Sequence, residues 1–316
     1  MNLPAEWLHP LFNAPIHGLL SLIIVFRDTP HYLSKIIASE DDCPASSVSF
    51  MGRPLVLYNI SKLVMRNKID GIMLPEGFSR MAGVISASYP SIQVDEYKQG
   101  RTFVQADRDM LEVPLNSIIV DSGMGDLVTD QIVYPWDLLR IMGRVLESEI
   151  KAPSISPNAT VSESSIISGP CIIEDGVFID DFCKIKGPAY IDKNSRVGTG
   201  SLVRNCMIGR ESSIGFNCEI ARSYLAGRDR IAHHNVILDS IIGENSWMGG
   251  YVGTTNVLLN NQNVRYKVGD NLMDTGLPNF GAVIGAGCNI GAGVIILPGR
   301  YIPSNSTIQA GTVVAK

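Results

Sequence analysis

The sequence lacks the features that mark several large classes of protein. It has no run of basic residues, and its formal net charge of −5 with a pI near 5.6 argues against a nucleic-acid partner. The apolar run Leu19–Phe26 is too short to cross a bilayer, and Glu6 stands where a secretory signal would carry basic residues. We therefore expect a cytoplasmic protein that binds neither nucleic acid nor membranes.

Cysteine is scarce, and its spacing is not that of a metal or redox site. There are six cysteines and no C-x-x-C pair. Five of them fall at one position of a repeat in the second half of the chain, so we expect them to fill a core: Cys171, Cys183, Cys206, Cys218 and Cys288. No metal site is predicted, although Asp121 and Asp126, which flank a short turn, leave Mg²⁺ open.

An aliphatic residue recurs at a fixed interval through the second half of the chain. The interval is six residues, with three single steps of five. Its members are Ile155, Val161, Ile167, Ile173, Ile179, Ile185, Ile191, Val197, Val203, Ile208, Ile214, Ile220, Leu225, Ile231, Ile237, Ile242 and Met248, and then Ile284, Ile290, Ile296, Ile302, Ile308 and Val314. Neither an amphipathic helix nor an alternating strand keeps this period. A six-residue period is typical of a parallel β-helix, in which each unit is one short strand and a corner.

Residues between the aliphatic positions fit the same architecture. The fourth residue after most of them is small, which predicts that both side chains face the interior of a narrow prism. The residue directly after is often glycine, which we expect to supply unusual corner angles. These glycines are Gly198, Gly209, Gly215, Gly243, Gly249, Gly285 and Gly291. Together the features resemble the left-handed β-helix of hexapeptide-repeat acyltransferases, and the resemblance implies the hand and a homotrimer.

Residues 1–150 follow a different pattern, in which strands alternate with helices. The predicted strands are Leu19–Phe26, Ile69–Leu74, Ile92–Val94 and Ser117–Val120, and the predicted helices lie within Gly52–Asn67, Arg80–Ala87 and Trp136–Glu149. This order implies an α/β layer with a mostly parallel sheet. We expect a domain boundary near Lys151–Pro153, with an α/β domain at 1–150 and a β-helix at 151–316 that carries an insertion at 254–281.

Two segments of the first half resemble archaeal sugar-phosphate nucleotidyltransferases. Tyr134–Leu139 is similar to that family's junction with its β-helix, and Gly52–Leu55 is similar to its G-K-P-L element. The bifunctional members are N-acetylglucosamine-1-phosphate uridyltransferases and glucosamine-1-phosphate acetyltransferases. Their Rossmann-like domain activates a sugar phosphate, and their β-helix acetylates an amino sugar with acetyl-CoA. Here Arg27–Pro30 stands where the family has a glycine-rich loop that cradles a triphosphate, and the domain is short. The resemblance therefore implies a degenerate, truncated domain that has lost nucleotidyl transfer.

The same resemblance implies a set of site residues in the β-helix. His233 matches the family's general base, because the attacking amine must lose a proton and histidine titrates near neutrality. The residues expected to contact acetyl-CoA are Gly250, Ala292 and Ala310. The residues expected to contact substrate are Asn235 and, in the insertion, Arg265, Tyr266 and Lys267. From the spacing alone, His233 and His234 are better interpreted as ordinary solvated corner residues, and the resemblance makes the two interpretations about equal.

Three positions depart from the family pattern, and they leave two functions open. Val236, Trp247 and Asn279 replace sugar-contacting residues, which removes the clamp for a sugar phosphate. One function is an acyltransferase that moves an acetyl group from acetyl-CoA to an amino sugar or sugar phosphate. The other is a non-catalytic regulatory or scaffold homologue of a sugar-phosphate nucleotidyltransferase. Binding of acetyl-CoA would separate them.

Overall fold

The computed structural model describes residues 9–10, 21–29, 48–98, 109–121 and 126–315. The chain divides into two compact units. The described residues before position 30 belong to the first unit with Arg53–Val133, and Val48–Gly52 belong to the second with residues 134–315. Within these described ranges, no helix is long and apolar enough to span a membrane.

The first unit is built on a four-stranded sheet. Its strands are β2 (Ser21–Arg27), β5 (Lys68–Pro75), β6 (Gln93–Tyr97) and β7 (Asp109–Pro114), and its helices are α1 (Leu55–Val64) and α2 (Ser79–Ser88). The strand order is β6-β5-β2-β7, and every neighbouring pair is parallel, which confirms the predicted parallel sheet. Ile24, Phe26, Ile60 and Ile72 form the centre of its core. Leu19 and Leu20, the start of the first predicted strand, lie outside the described residues.

Several strands of this unit were not predicted. One is β7, in which Glu112 lies between buried Leu111 and Val113. Another, β9 (Leu127–Gln131), carries buried Thr129 and Asp130 and lies in an antiparallel sheet with β1 (His9–Pro10) and β8 (Ser117–Asp121). Strands this short, in which polar residues interrupt the apolar ones, give no clear apolar alternation. Strand β4 (Arg53–Pro54) of this unit and strand β3 (Ser49–Phe50) of the second unit have two residues each.

The second unit contains a parallel β-helix of three sheets with eight strands each. The first sheet contains β10 (Ser154–Ile155), β13 (Cys171–Ile173), β16 (Ala189–Ile191), β19 (Met207–Ile208), β22 (Tyr224–Leu225), β25 (Ile241–Ile242), β30 (Val283–Ile284) and β33 (Tyr301–Ile302). The second contains β11 (Thr160–Val161), β14 (Phe178–Ile179), β17 (Arg196–Val197), β20 (Ser213–Ile214), β23 (Arg230–Ile231), β26 (Trp247–Met248), β31 (Asn289–Ile290) and β34 (Thr307–Ile308). The third contains β12 (Ile166–Ser168), β15 (Lys184–Lys186), β18 (Leu202–Arg204), β21 (Glu219–Ala221), β24 (Val236–Leu238), β27 (Gly253–Thr254), β32 (Ile295–Ile296) and β35 (Val313–Val314).

The strand register follows the aliphatic repeat. Ile155 lies opposite Ile173, which gives a coil of 18 residues, whereas Ile191 lies opposite Ile208, which gives a coil of 17. Each five-residue step falls at the corner between the third and the first sheet, so one residue is lost there and the inward positions stay aligned. The aliphatic residues of the ladder are buried along most of the prism. The predicted β-helix is therefore confirmed.

The corner glycines are needed for a different reason from the one predicted. Gly215 does not have a positive φ, but a Cβ there would lie 2.8 Å from the backbone carbonyl carbon and oxygen of Ala232 in the next coil. A Cβ on Gly291 would lie 2.4 Å from the Ala310 nitrogen. The expectation of unusual angles at these glycines was wrong, since close contact between successive coils excludes a side chain. Positive φ occurs two residues later, as at His234 and Tyr251.

The cysteines of the repeat fill the core, as predicted. Cys171, Cys183, Cys206, Cys218 and Cys288 are buried and free. Burial raises the pKa of the Cys206 thiol to about 12, so it remains protonated at neutral pH. Cys43 lies outside the described residues.

The outer face of the first sheet is covered within the second unit. The Ser49 amide donates to the Tyr224 hydroxyl at 3.0 Å, and this hydroxyl donates to the Ser49 carbonyl at 3.1 Å. Gly52 has a φ of +70°, and a Cβ there would lie 2.5 Å from the Tyr190 hydroxyl. This close approach is a physical reason for the glycine in the Gly52–Leu55 segment.

A helix and a hairpin complete the second unit. Helix α3 (Pro135–Glu149) confirms the predicted helix, and the Tyr134 amide donates to Asp137 Oδ2 at 2.9 Å at its start. The insertion at 254–281 folds in part into an antiparallel hairpin, β28 (Arg265–Val268) and β29 (Asn271–Asp274).

Candidate functional site

The predicted base and the predicted acetyl-CoA contacts lie in one column of turns between the second and third sheets. We call this column, residues 215–217, 232–235, 249–252, 291–294 and 309–312, the histidine corner. The Tyr251 amide donates to the His233 carbonyl at 3.0 Å, and the same bond repeats from coil to coil. The residues at the position of His233 are Phe216, His233, Gly250, Ala292 and Ala310. The residues at this position are therefore small in the coils that follow His233, whereas the preceding coil has Phe216.

His233 projects into solvent, with one ring nitrogen in use. Its side chain is exposed, and the backbone N–H of Phe216 donates to Nδ1 at 3.2 Å. A backbone N–H can only donate, so Nδ1 is the acceptor in this bond.

His234, the next residue, has richer surroundings. Its φ is +58°, its side chain is half-buried, and its ring stacks on Tyr251 with centroids 4.8 Å apart and planes at 17°. The Phe216 ring meets it edge-on at 5.1 Å and 90°. Asn217 Nδ2 lies 3.2 Å from His234 Nδ1. Sequence reasoning did not select His234. The signal was available, since Asn217, His234 and Tyr251 each follow an aliphatic repeat position by three residues.

A cavity of about 430 Å³ opens beside the histidine corner over the third sheet. Its lining residues include His234, Val236, Leu238, Tyr251, Thr254, Thr255, Asn256, Val257 and Ile295, and do not include His233. The floor is aliphatic, the Thr255 hydroxyl and the Asn256 amide are polar, and an aromatic stack closes one side. The Thr254 hydroxyl is bonded inside the prism to Leu238 and Ser240. Such a cavity with a few polar groups is typical of a small-molecule site.

Asn235 stabilises the corner from inside. It is fully buried, its Nδ2 donates to the Ala232 carbonyl at 2.8 Å, and its Oδ1 accepts from the Val252 amide at 2.8 Å. These bonds hold the turn that presents both histidines. They also engage both the nitrogen and the oxygen of the Asn235 amide inside the turn, away from the cavity.

The three predicted insertion residues alternate between two faces of the hairpin. Tyr266 is only 4% exposed and packs edge-on against Trp136, at 5.7 Å between centroids, and against Phe280, at 5.9 Å. Burial raises the pKa of its phenol well above the ordinary value. Arg265 and Lys267 are exposed. None of the three lines the cavity.

The base of the insertion is fixed next to the cavity by an ion pair. Arg222 donates to both oxygens of Asp239, at 2.6 and 2.7 Å, and Asn256 Nδ2 donates to Asp239 Oδ2 at 2.6 Å. Val257, another lining residue, bridges to Asn279. Asp239 lies at the corner between the third and first sheets, and its carboxylate is engaged there.

The residues that depart from the family pattern have two different surroundings. Val236 is 41% exposed and lines the cavity, so an aliphatic surface stands where a sugar-contacting residue was expected. Trp247 is 38% exposed on β26, on the second sheet.

The first unit has a charged pair where a glycine-rich loop was expected. Arg27 is the last residue of β2. A guanidinium nitrogen of Arg27 lies 2.6 Å from Glu112 Oε1, and its Cζ lies 5.5 Å from the centroid of the Tyr97 ring. Asp121 ends β8, and Asp126 is exposed, while the residues between them lie outside the described part. The described ranges contain no group of three or more histidine, cysteine or acidic side chains placed to hold a metal.

The fold and the corner define a hexapeptide-repeat β-helix protein, and comparison with known proteins is consistent with this class. The family model described as GMPPB C-terminal domain matches residues 185–273. The uncharacterized acetyltransferase YaiX of Escherichia coli O6:K15:H31 (strain 536 / UPEC) is 26% identical over 162 residues, which cover 51% of this chain and 63% of YaiX. The bifunctional protein GlmU of Methanococcus aeolicus is 32% identical over 186 residues, which cover 58% of this chain and 44% of GlmU.

These matches confirm the resemblance on which the predicted site rests. They span between 44% and 63% of the length of those two relatives. Among solved structures, perosamine N-acetyltransferase from Caulobacter crescentus, in complex with CoA and GDP-perosamine, is 13% identical. That match covers 94% of this chain and 93% of the other, with a TM-score of 0.23.

Proposed function

We propose that this protein is an acyltransferase of sugar-nucleotide metabolism, which moves the acetyl group of acetyl-CoA to the amino group of a sugar. The histidine corner carries the proposal, because it combines two histidines, a column of small side chains and a cavity. The similarity to YaiX and to GlmU supports the same chemistry. One of the two histidines supplies the general base, and His233 is the residue that the sequence predicts.

Acetyl-CoA is proposed to lie along the small residues of the corner. Ala292 and Ala310 are exposed, and a Cβ on Gly250 would meet only the His233 carbonyl oxygen, at 3.4 Å. Nothing larger than a methyl group projects from these three positions. A pantetheine arm can therefore lie flat there, with its thioester next to the histidines.

The proposed acceptor is an amino sugar, free or linked to a nucleotide. The cavity offers an aliphatic floor and the hydroxyl oxygen of exposed Thr255, whose proton is donated to the Ile296 carbonyl. The cationic contact for a sugar phosphate has no counterpart in this lining, and Arg265 and Lys267 are exposed on the nearby insertion. We propose that these two cations meet any anionic part of the acceptor.

The proposed assembly is a homotrimer, in which the groove between neighbouring β-helices completes the site. Large apolar side chains are exposed along the prism, among them Ile166 at 58%, Phe182 at 72% and Val313 at 59%. Such surfaces are commonly covered by association. Sedimentation analysis of the full chain should give a trimer, and a stable monomer would contradict this part of the proposal.

A regulatory protein without catalytic activity is the second candidate function, and the first unit supports it. Arg27 is paired with Glu112 at the end of β2, where a phosphate-binding loop would be needed. We propose that this unit binds no nucleoside triphosphate. Calorimetry with UTP or dTTP and Mg²⁺ tests this, and micromolar binding would refute it.

Binding of acetyl-CoA decides between the two candidates. Calorimetry with the full chain should show saturable binding, and acetyl-CoA mixed with glucosamine or glucosamine 1-phosphate should release free thiol. If acetyl-CoA at millimolar concentration does not bind, the enzyme proposal fails and the regulatory one stands.

A further inference from the structure

We propose that Tyr251 is the binding platform for the sugar ring of the acceptor, which stacks on the face of the phenol ring that points away from His234. The proposal rests on the acyl transfer proposed above. It adds the residue that holds the amino sugar beside the histidine corner.

The backbone at Tyr251 does not favour an aromatic residue. Tyr251 has a φ of +60°, in the left-handed region, which is unfavourable for a bulky side chain. Glycine occupies the same place in the next two coils, at Gly293 and Gly311. The Tyr251 side chain is also 66% exposed, so packing inside the prism does not select it. An exposed aromatic residue that is kept in an unfavourable conformation beside a cavity indicates a ligand contact.

A second aromatic residue with this conformation shows what distinguishes Tyr251. Phe182 lies at the same corner in an earlier coil, with a φ of +57° and a side chain that is 72% exposed. It does not line the cavity, and it belongs to the apolar set assigned above to association. Tyr251, by contrast, borders the cavity and stacks on a histidine ring.

One face of the Tyr251 ring is covered, and the other faces open space. On the covered side the His234 ring lies parallel, with centroids 4.8 Å apart and planes at 17°. Neighbouring strands are also about 4.8 Å apart, so the two rings stack along the axis of the prism. In the next coil, a Cβ on Gly293 would meet no described atom closer than the Gly311 backbone at 4.0 Å, and a Cβ on Gly311 would meet none within 4 Å. We call this space over the two glycines, about 10 Å or two strand spacings long, the glycine slot.

The position of the glycine slot decides which part of the substrates fills it. His234 stacks on Tyr251 and directly follows His233 in the chain, so the slot is next to the reacting amine. The adenine of CoA is separated from the thioester by the whole pantetheine arm. A nucleobase is separated from its sugar by a diphosphate and a ribose. The ring that carries the amine is therefore the one that reaches Tyr251.

A pyranose ring suits the surfaces around the glycine slot. Its flat side carries C–H groups, which pack on the electron-rich face of a phenol ring. The cavity wall beside Tyr251 is aliphatic, with Val236 and Ile295 at outward positions of the third sheet. The exposed Thr255 hydroxyl follows farther along that sheet and accepts hydrogen bonds. The carbon skeleton of the sugar thus meets apolar surfaces, and its hydroxyl groups meet Thr255 and solvent.

Two substitutions at Tyr251 separate the ring face from the phenol hydroxyl. Tyr251→Asn removes the ring and tolerates the positive φ, so KM for glucosamine 1-phosphate should rise about tenfold. The Kd of acetyl-CoA, measured by calorimetry on the same protein, should not change with it. Tyr251→Phe keeps the ring face, and its KM should rise much less. An unchanged KM in Tyr251→Asn would overturn the proposal, and so would an equal rise in the two variants.

A third substitution tests the glycine slot from its other side. Gly293 has a φ of +69°, which asparagine tolerates. Gly293→Asn places a side chain where the sugar ring is proposed to lie, and should raise KM for glucosamine 1-phosphate about tenfold or more. Circular dichroism should show that the fold is retained. A folded variant with the wild-type KM would contradict the placement of the ring.

Saturation-transfer-difference NMR tests the contact without turnover. The sample contains the full chain, free CoA and glucosamine 1-phosphate, whose axial ring protons alternate between the two faces of the sugar. Protons of one face should receive more saturation than those of the other, and Tyr251→Asn should abolish the difference. Equal saturation of both faces in the wild type refutes the platform. If the difference is found but the wild type acetylates neither glucosamine 1-phosphate nor a nucleotide-linked amino sugar, the platform stands and the proposed function fails.

Discussion

Two glycines of the histidine corner should respond in opposite ways to the same added methyl group. A Cβ on Gly215 would lie 2.8 Å from the Ala232 carbonyl carbon and oxygen, and 3.0 Å from His233 Nδ1. Ala232 cannot easily retreat, because its amide donates to the Met248 carbonyl at 2.8 Å in the coil ladder. On Gly250 the nearest atom would be the His233 oxygen at 3.4 Å, which is ordinary contact.

The expected magnitudes follow from these distances. Overpacking of a closely packed site costs about 1–3 kcal/mol, so Gly215→Ala should lower the free energy of unfolding by that amount. A tolerated Gly→Ala change gains about 0.4–1 kcal/mol, because it restricts the unfolded chain. Neither glycine has a positive φ, so backbone strain does not add to the comparison. The two variants should therefore differ by roughly 1.4–4 kcal/mol.

Urea unfolding followed by circular dichroism measures this difference. All proteins should be compared at one concentration, because association raises apparent stability by mass action. The unfolding slopes should agree, so that a shifted midpoint reports stability. Equal midpoints for Gly215→Ala and Gly250→Ala would refute the argument that coil-to-coil contact selects these glycines.

Three further changes test other parts of the second unit. Burial raises the pKa of the Asp229 carboxyl well above its ordinary value, so the folded chain keeps a proton that the unfolded chain loses above about pH 4. The free energy of unfolding should then fall as the pH rises above about 4, by up to about 1.4 kcal/mol per pH unit. Urea titrations at several pH values measure this trend, and Asp229→Ser should remove it. Ala292→Trp should weaken acetyl-CoA binding about tenfold or more in calorimetry, which is a loss of about 1.4 kcal/mol, and unchanged affinity would exclude the corner as the path of the thioester. Arg222→Leu should lower the melting temperature by leaving Asp239 with fewer partners, and adding Asp239→Asn should recover part of the loss.

The β-helix could be predicted from the sequence because its repeat specifies both faces of every strand. The spacing from Ile155 to Val203 fixes which side chains point inward, and hydrogen bonds between coils follow from that alignment. The first unit was harder to predict. In β7 Glu112 stands between the apolar residues Leu111 and Val113, and the pairing of this strand with β2 depends on residues far away in sequence.

The site was only partly predictable, for a physical reason. The repeat places His233 in line with Gly250 and Ala292, and this alignment is in the structure. It does not show that Asn235 turns inward to bond the Ala232 carbonyl, because the small inward position usually holds serine, cysteine or alanine. In the insertion hairpin, alternate side chains lie on opposite faces, so buried Tyr266 is on the other face from Arg265 and Lys267. The sequence prediction had grouped these three residues because they are adjacent.

The two histidines show where prediction from a repeat ends. They are adjacent in sequence, and the ladder sets His233 over Phe216 and His234 over Asn217 in the preceding coil. The repeat therefore specifies the partner residue of each ring. It does not specify whether a ring meets a backbone N–H, which only donates, or a side-chain amide, which both donates and accepts. That difference depends on side-chain torsions. It sets the hydrogen bonding of each imidazole, which the repeat alone leaves open.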